Sequence, residues 1–406
     1  MIKINEISNI GIGTYRMEDT PEYYKTLKYA IDSGINIIDS ASNYNFGNSE
    51  KLIGQTITSD IREKVFIISK VGYIQGNDIK LVKEIDNLSL IEFSENFYYS
   101  LDPKFISFQL KQSLKRLNTE YIDCYLLHNP EYYFNKGYNK EQIKDIIFAS
   151  FSLLEREVEK GKIRFYGISC NDFNKIPIIE ILESIENFPA FKFVQFPFNI
   201  VENNLSDYNV ESCNLTIKKL KEYGLFTLSN RPLNTVYQGK TLRLTDMPSQ
   251  DIESINQKEE MLFDSFQNTI KESLVQLGED TDLENYYPIF FFVENRKNIA
   301  NVEAIDKAIY EYLLPFLDAL NLRNAETTKL ITELRNYWII YTQWSNQERL
   351  NILKQDMIKE HKMSATDKRD FSHILADYYL NKEGVDCVLM GLRKTDYVDK
   401  VKSLLL

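Results

Sequence analysis

The sequence predicts an α/β fold, a (β/α)8 TIM barrel, and two features of its pattern lead to this prediction. Eight short runs are mostly apolar rather than alternating, and a helical segment or region follows each of them. Continuous apolar strands separated by helices indicate a parallel sheet that is covered on its outer face. Eight such units favour a closed barrel over an open doubly wound sheet. The predicted strands are residues 9–15, 35–41, 64–72, 121–130, 163–170, 191–199, 225–234 and 385–391.

Local signals mark the helices between these strands. The first helix is predicted to begin at Thr20-Pro21, because a threonine before a proline at the first helical position is a good start signal, and Gly34 provides a natural stop. The other predicted helices are 48–57, 103–118, 139–161, 175–187, 214–223, 366–383 and a last one from Thr395.

Two stretches do not fit the repeat. Residues 73–102 form an extended third loop, and residues 235–364 form a large helical insertion between strand seven and the helix that follows it. We predict one barrel domain over 1–406, in which the insertion is a lid over the barrel mouth, a subunit interface or an added helical layer. Helical patterns within the insertion lie at about 257–276, 301–320 and 325–361.

Composition excludes several classes of protein. With 43% hydrophobic and 26% charged residues, the 406-residue chain is expected to be globular. A net charge of -11 argues against nucleic acids and anionic membranes as partners, since both attract basic patches. No long apolar segment and no secretory signal is visible, so a cytoplasmic location is predicted. Three histidines and four scattered cysteines (Cys124, Cys170, Cys213 and Cys387) argue against disulfides and a metal site.

Four polar residues fall at or just beyond the ends of three consecutive predicted strands. Asp39 ends strand two with Tyr44 shortly after it, Lys70 ends strand three, and His128 ends strand four. In a parallel barrel, the carboxyl ends of the strands meet at the active-site mouth. Each residue alone has an ordinary structural explanation, and Tyr44 is one of 26 tyrosines. A lysine that ends an apolar strand needs a carboxylate nearby, however, so we expect these residues to form one cluster.

Such a cluster has a definite chemical use. A tyrosine with a pKa of about 10 is a poor acid near neutral pH, and a neighbouring ammonium is expected to lower that pKa. Asp39 would keep Lys70 charged and oriented, and His128 could donate a hydrogen bond to a substrate oxygen. Tyr44 would then be a general acid aimed at a developing alkoxide, which carbonyl reduction by hydride requires.

These residues resemble the signature of the aldo-keto reductases. "DSASNY" (39–44) resembles the family's D-x4-Y element, "ISK" (68–70) its strand-three lysine and "LLHNP" (126–130) its strand-four histidine. The resemblance covers about 1–234 and 365–406 and leaves the insertion unexplained. Further similar segments are "GIGTY", "GKIRFYGIS", "FVQF", "RPLN" and "VLMGLRKTDYVDKV".

The resemblance implies an NAD(P)(H)-dependent oxidoreductase with a (β/α)8 barrel and no metal. By position, Tyr44 would be the general acid, Asp39 and Lys70 would tune it, and His128 would orient the carbonyl. Independently of the resemblance, the position of Asn129 beside His128 makes it a candidate substrate contact. The implied cofactor-binding residues are Gly13, Thr14, Tyr15, Asp39, Ser169, Asn171, Gln195, Asn230, Arg231, Leu233, Gly391, Arg393 and Lys394.

The sequence departs from the family's pattern on the cofactor side. Cys170 follows Ser169 where the family often has asparagine, and Asn171 comes one residue later. Asn230 stands where an aromatic ring usually stacks on the nicotinamide. Near the C-terminus, Lys400-Val401 replaces the usual E-N pair, while two basic side chains nearby could bind a 2′-phosphate. These two, Arg393 and Lys394, favour NADP(H) over NAD(H).

The predicted function is therefore hydride transfer between NADP(H) and a small carbonyl or alcohol substrate. An NAD-dependent sugar or polyol dehydrogenase using the same residues is one alternative. A non-catalytic subunit that senses nicotinamide nucleotides is another, because the insertion is large and the nicotinamide contacts are irregular. The insertion could also make the protein a homo-oligomer.

Overall fold

A computed structural model describes residues 1–82, 84–202 and 215–406 of the chain. Its Cα positions divide into two units, Met1–Thr235 with Arg369–Leu406, and Val236–Lys368. Residue 214, where one predicted helix begins, and Cys213 lie outside the described residues.

The barrel prediction is confirmed by the first unit. Within the described residues, eight strands close into a barrel in the order β1-β8-β7-β6-β5-β4-β3-β2, and neighbouring strands are parallel. These strands are β1 (Ile10–Gly13), β2 (Ile37–Asp39), β3 (Phe66–Val71), β4 (Ile122–His128), β5 (Ile163–Ser169), β6 (Phe191–Pro197), β7 (Phe226–Asn230) and β8 (Cys387–Met390).

Side chains from most of these strands fill the barrel. Every residue of β3 is buried, including the polar Ser69 and Lys70, so both faces of the strand are covered. Gly167 of β5 permits the close approach of β6, because a Cβ there would lie 1.9 Å from the carbonyl oxygen of Phe193. The buried interior cluster consists of Ile37, Phe66, Ile68, Cys124, Leu126, Phe193, Leu228, Cys387 and Leu389.

The first helix begins where the sequence predicts, because the Thr20 side chain accepts a hydrogen bond from the Tyr23 amide and Pro21 is the first helical residue. The predicted helix 175–187 is wrong in length: only Ile178–Glu183 is α-helical, between two 3-10 turns. The α-helices of the first unit are Pro21–Asp32, Asn48–Thr56, Ser59–Arg62, Asp78–Val82, Pro103–Arg116, Lys140–Glu159, Ile178–Glu183, Ile217–Glu222, Phe371–Leu380 and Thr395–Asp399.

The third loop is more ordered than predicted. Residues 73–102 contain a three-stranded antiparallel sheet of Tyr73–Ile74, Phe97–Tyr99 and Ile91–Ser94. Its aromatic side chains stack on one another: the Tyr73 and Phe97 ring centroids are 5.4 Å apart with an interplanar angle of 10°. Aromatic cross-strand pairs stabilise such small sheets, and pattern reasoning did not weigh them.

The second unit is helical and has its own core around Trp338. The fully buried carboxylate of Glu259 lies in that core, paired with Arg296 at 2.9 Å and bonded by the Trp338 indole N–H at 3.0 Å. That the unit is a lid or an interface stays a prediction. Its α-helices are Ile252–Leu277, Tyr287–Asn295, Val302–Lys307, Leu314–Ala319 and Ala325–Lys359, with a π-helix over Ala308–Leu313; a two-stranded sheet pairs Asn234–Tyr237 with Lys240–Arg243.

Among the described residues, no helix combines the length and the apolar character that a membrane span requires.

Candidate active site

The candidate site lies at the carboxyl ends of the barrel strands and is formed by side chains that point into the barrel. Side chains alternate between the two faces of a strand, so every second residue points the same way. Apolar interior residues are therefore followed, two positions later and at the carboxyl end of the strand, by a polar one. The pairs are Ile37 and Asp39, Ile68 and Lys70, Leu126 and His128, Phe193 and Gln195, and Leu228 and Asn230.

Lys70 is the centre of the first half of the site. Its side chain is fully buried, and its Nζ lies 2.7 Å from Oδ1 and 2.8 Å from Oδ2 of Asp39. The ammonium also donates to the Ser40 carbonyl oxygen at 2.8 Å and approaches the Tyr44 hydroxyl oxygen at 3.3 Å. The three protons of the ammonium thus have partners, as a buried cation requires.

Tyr44 is positioned by an unusual turn. The three residues after it have positive φ angles: 47° at Asn45, 55° at Phe46 and 86° at Gly47. Asn45 holds the turn, because its side-chain amide donates to the Met17 carbonyl oxygen at 2.8 Å. Asparagine and glycine tolerate this left-handed conformation, whereas phenylalanine rarely adopts it. The turn places the half-buried Tyr44 side chain next to the Lys70 ammonium.

The expectation that Lys70 lowers the pKa of Tyr44 was wrong. Burial raises the pKa of Tyr44 well above its ordinary value, and the Asp39 carboxylate raises it further, while only Arg231 opposes the shift. The physical reason is that burial outweighs the attraction of the Lys70 ammonium, which is itself paired with Asp39 at 2.7 Å. Tyr44 is consequently a protonated hydroxyl, and its proton is available to an acceptor.

His128 lies beside Tyr44 as a neutral imidazole. Burial lowers the pKa of His128 well below its ordinary value, and the Lys70 ammonium lowers it further. The ring centroid of His128 is 6.1 Å from that of Tyr44 and 4.7 Å from that of Tyr73. A neutral imidazole carries one N–H donor and lacks the second, acidic proton with which an imidazolium would compete with Tyr44 as the acid.

Asn129 is committed to a contact with the third loop. It has a left-handed φ of 60°, and its side-chain amide donates to the Tyr73 hydroxyl oxygen at 2.6 Å. The Tyr73 hydroxyl donates in turn to the Tyr132 hydroxyl oxygen at 2.9 Å. Asn129 is thus hydrogen-bonded to Tyr73, and the ring of Tyr73 packs next to that of His128. Sequence reasoning missed Tyr73 and Tyr132; the aromatic density of the third loop was the available signal for Tyr73.

Neutral amides and a hydroxyl form the other half of the site. The Ser169 hydroxyl donates to Oε1 of Gln195 at 3.0 Å, and Nδ2 of Asn230 donates to the same oxygen at 3.1 Å. Nε2 of Gln195 donates to Oδ1 of Asp39 at 2.9 Å. We call Asp39, Tyr44, Lys70 and His128 the tyrosine side, and Ser169, Gln195 and Asn230 the amide side. Gln195 joins the two.

Asn171 is held apart from the amide side. Its backbone N–H and its side-chain amide donate to Oε1 of Glu131 at 3.0 and 3.1 Å, and its side chain is exposed. Buried Cys170 follows Ser169 instead. Burial raises the pKa of Glu131, opposed by these hydrogen bonds. Sequence reasoning missed Glu131, which gives no local signal because its partner belongs to the next βα loop.

The remaining predicted cofactor residues of the first strand lie next to Asp39. The Thr14 N–H and hydroxyl both donate to the Asp39 carbonyl oxygen, at 2.9 and 3.0 Å, and Gly13 pairs with Asp39 in the strand register. The ring of Tyr15 is exposed and packs edge-on against Tyr44, with 5.0 Å between centroids.

The other predicted cofactor residues follow β7 and β8. Arg231 is exposed with a φ of 54°, and Leu233 is half-buried. Gly391 borders open space, since a Cβ there would meet no atom within 4 Å. In the described part of the chain, neither half-buried Arg393 nor exposed Lys394 pairs with an acidic side chain.

The fold and this site define a (β/α)8 barrel whose mouth carries a tyrosine, a buried lysine–aspartate pair and a neutral histidine. The chain belongs to the aldo/keto reductase family, whose family model matches residues 9–281. The match ends within the second unit, before β8.

Several named proteins are similar to this chain. The chain is 28% identical over 210 residues to aldo-keto reductase YhdN of Bacillus subtilis, covering 50% of this chain and 53% of that protein. It is 33% identical over 131 residues to an NADH-specific methylglyoxal reductase of Escherichia coli, covering 30% of this chain and 38% of the relative. The chain thus spans about half the length or less of these curated relatives. A solved aldo-keto reductase, AKR11C1 of Bacillus halodurans in its holo form, is 21% identical, with a TM-score of 0.42, covering 60% of this chain and 67% of that one.

Proposed function

We propose that this protein catalyses reversible hydride transfer between a nicotinamide cofactor and a small carbonyl or alcohol substrate, with Tyr44 as the general acid. The observation that carries the proposal is the position of the Lys70 ammonium, buried, paired with Asp39 at 2.7 Å and 3.3 Å from the Tyr44 hydroxyl. A fully buried lysine at the end of an apolar strand is costly, and this arrangement gives it a chemical purpose.

The residues present fit a nicotinamide cofactor. Oδ1 of Asn230 is a buried acceptor with no hydrogen-bonding partner among the described residues, so the amide side has an unfilled site for a donor. Gly391 leaves open space near two basic side chains, Arg393 and Lys394. When bound, the cofactor supplies or accepts the hydride. Ser169, Gln195 and Asn230 would hold its ring, and the residues after β8 its adenosine end.

In reduction, Tyr44 donates its proton to the carbonyl oxygen as the carbonyl carbon gains a hydride. The raised pKa of Tyr44 keeps the hydroxyl protonated at neutral pH, and the Lys70 ammonium stabilises the tyrosinate that forms. In oxidation, the same oxygen would accept the proton of the alcohol. Because the pKa of Tyr44 is raised, Tyr44 enters the reaction in the protonated form that reduction requires.

His128 orients the substrate as a neutral donor. Its lowered pKa prevents the imidazolium from forming near neutral pH, so His128 donates a hydrogen bond to the carbonyl oxygen without delivering the proton itself. The ring of Tyr73, 4.7 Å from the imidazole, limits the access of water on that side. Water exclusion strengthens both hydrogen bonds to the substrate oxygen.

Cofactor and substrate preference define the first assay. Arg393 and Lys394, which pair with no acidic side chain among the described residues, support NADP(H), through a 2′-phosphate, while one relative is named as NADH-specific. Two relatives from Escherichia coli are named methylglyoxal reductases and one from Bacillus subtilis a glyoxal reductase. Methylglyoxal and glyoxal therefore lead the substrate panel, each with both cofactors and in both directions where the alcohol is available.

Tyr44→Phe tests the proposed role directly. We expect kcat to fall by about 10²–10⁴-fold, the usual contribution of a general acid, while the Kd of the cofactor measured by fluorescence titration stays unchanged. Tyr24→Phe, which removes the hydroxyl of an exposed tyrosine on the first helix, should leave both values unchanged. A Tyr44→Phe enzyme with nearly normal turnover would eliminate Tyr44 as the acid.

A nucleotide-sensing subunit is the second candidate. The observation that favours it is the pair of hydrogen bonds from Asn171 to Glu131. These bonds occupy the donors of a residue that was expected to bind the nicotinamide carboxamide. Tight cofactor binding without turnover over the whole carbonyl panel would support this candidate and contradict the reductase.

A further inference from the structure

We propose that Asn230 binds the carboxamide of the nicotinamide ring through its side-chain oxygen, so that a hydrogen bond replaces the aromatic stacking expected at this position. The inference rests on the proposed function, since it requires that a nicotinamide cofactor binds. It assigns a specific atom, Oδ1 of Asn230, to a specific donor, the carboxamide N–H.

The charge of Asp39 fixes the orientation of the first amide. A carboxylate only accepts hydrogen bonds, and Asp39 is paired with the Lys70 ammonium at 2.7 Å. The Gln195 atom that lies 2.9 Å from Oδ1 of Asp39 must therefore be its nitrogen. Consequently the oxygen of Gln195 faces the other way.

The orientation of Gln195 fixes that of Asn230. Oε1 of Gln195 accepts from the Ser169 hydroxyl at 3.0 Å and from Asn230 at 3.1 Å. Because the Asn230 atom in this contact must be a donor, it is Nδ2. The remaining atom, Oδ1, is the free acceptor. A flipped Asn230 would place two carbonyl oxygens against each other, so the three residues settle on one arrangement.

The free acceptor needs a partner from outside the described residues. Oδ1 of Asn230 is buried and has no hydrogen-bonding partner there. A buried acceptor without a partner destabilises the free protein, and a ligand donor recovers that cost. Asn230 ends β7, and its amide already contacts the amide side of the barrel mouth. A bound donor at this position would complete the network that begins at Asp39.

Neighbouring residues leave this role to Asn230. Cys170, which follows Ser169, is buried and offers a weakly polar sulfur rather than an amide. Both amide donors of Asn171, main chain and side chain, are directed at Glu131. Among ligands that bind in a reductase, the nicotinamide carboxamide carries an N–H pair next to the reacting ring. Oδ1 of Asn230 is therefore the acceptor for one N–H of that carboxamide.

The test compares two cofactors that differ in this group alone. NADP+, or NAD+ if it binds more tightly, is compared by calorimetry with its 3-acetylpyridine analogue, which keeps the carbonyl and lacks the N–H donors. The wild-type protein should bind the natural cofactor about tenfold more tightly, the effect of one buried hydrogen bond. In Asn230→Leu, which is close to isosteric, the ratio of the two Kd values should fall to about one.

Three comparisons make the outcome decisive. Asn230→Ala, which requires no repacking, should lose the preference as Asn230→Leu does. Asn171→Leu makes the same chemical change at the asparagine held by Glu131 and should keep the tenfold preference. The Kd of 2′-phospho-ADP-ribose or ADP-ribose, which lack the pyridine ring, should be equal in all variants and shows that each is folded.

Two results overturn the inference alone: an Asn230→Leu protein that keeps the preference, or an Asn171→Leu protein that loses it. A wild-type protein that binds neither dinucleotide nor the ring-free fragment overturns the proposed function as well.

Discussion

The tyrosine side and the amide side of the site are built on opposite principles. On the tyrosine side, a buried ion pair between Lys70 and Asp39 anchors the cluster, and the ammonium reaches the Tyr44 hydroxyl at 3.3 Å. On the amide side, Gln195 and Asn230 are neutral and could each take two orientations. An ion pair stabilises the tyrosine side, whereas hydrogen bonds that require one orientation of each amide stabilise the amide side. Because the Asp39 carboxylate can only accept, it fixes the orientation of the Gln195 amide, and Gln195 in turn fixes that of Asn230.

The difference implies different sensitivities to mutation. Removing a charge from the tyrosine side leaves the opposite charge buried, whereas removing an amide costs hydrogen bonds but leaves the ion pair of Lys70 and Asp39 in place. The tyrosine side should therefore dominate both stability and pH dependence. The amide side should control which cofactor ring is accepted.

The largest predicted effect is that of Lys70→Met. The variant leaves the Asp39 carboxylate buried without its cation, and we expect the free energy of unfolding to fall by about 3–5 kcal/mol in urea titrations. Carbonyl reduction should be lost as well.

An exposed ion pair provides the matched control for Lys70→Met. Lys28→Met removes a cation that lies 3.1 Å from Asp32 on the surface of the first helix, with half of each side chain exposed. That loss should be below about 1 kcal/mol, because exposed pairs contribute little. Equal losses in the two variants would show that burial does not strengthen the Lys70 pair.

Gln195→Leu should have the next largest effect. It removes the donor to Asp39 and leaves the Ser169 hydroxyl and the Asn230 amide without their acceptor, which costs about 1–3 kcal/mol of unfolding free energy. Gln55→Leu, which removes an exposed amide 2.9 Å from Asp19, should cost far less. If the Gln195 variant were as stable as the wild type, the hydrogen bonds of Gln195 would contribute nothing to the free energy of unfolding.

Much of the tyrosine side could be predicted from the sequence, and the reason is physical. Asp39, Lys70 and His128 end apolar strands, where a charge or an imidazole stands out against its neighbours, and the barrel brings strand ends together. The expected lowering of the Tyr44 pKa failed because burial raises that pKa and the Asp39 charge raises it further, and a sequence pattern does not give the extent of burial.

The partners of neutral groups could not be predicted in the same way. Glu131 binds Asn171 across two βα loops that are 40 residues apart in the chain. Asn129 contacts Tyr73 across 56 residues. Such hydrogen bonds depend on loop conformations and left-handed residues, for which the sequence offers only the weak preference of asparagine for positive φ. The strand ends were therefore predictable, and the loop contacts were not.

The smallest effect concerns the pH dependence that His128 adds to stability. Because burial lowers the pKa of His128, the unfolded chain takes up a proton near pH 6.5 that the folded chain refuses. The unfolded state then binds more protons below that pH, so stability decreases as the pH falls, by about 1.4 kcal/mol per unit. His128→Asn should remove this share of the slope between about pH 6.5 and 5.5, whereas His361→Asn, at an exposed ring, should keep it. Urea titrations at several pH values measure both slopes, and equal slopes in the wild type and the His128 variant would contradict a neutral His128.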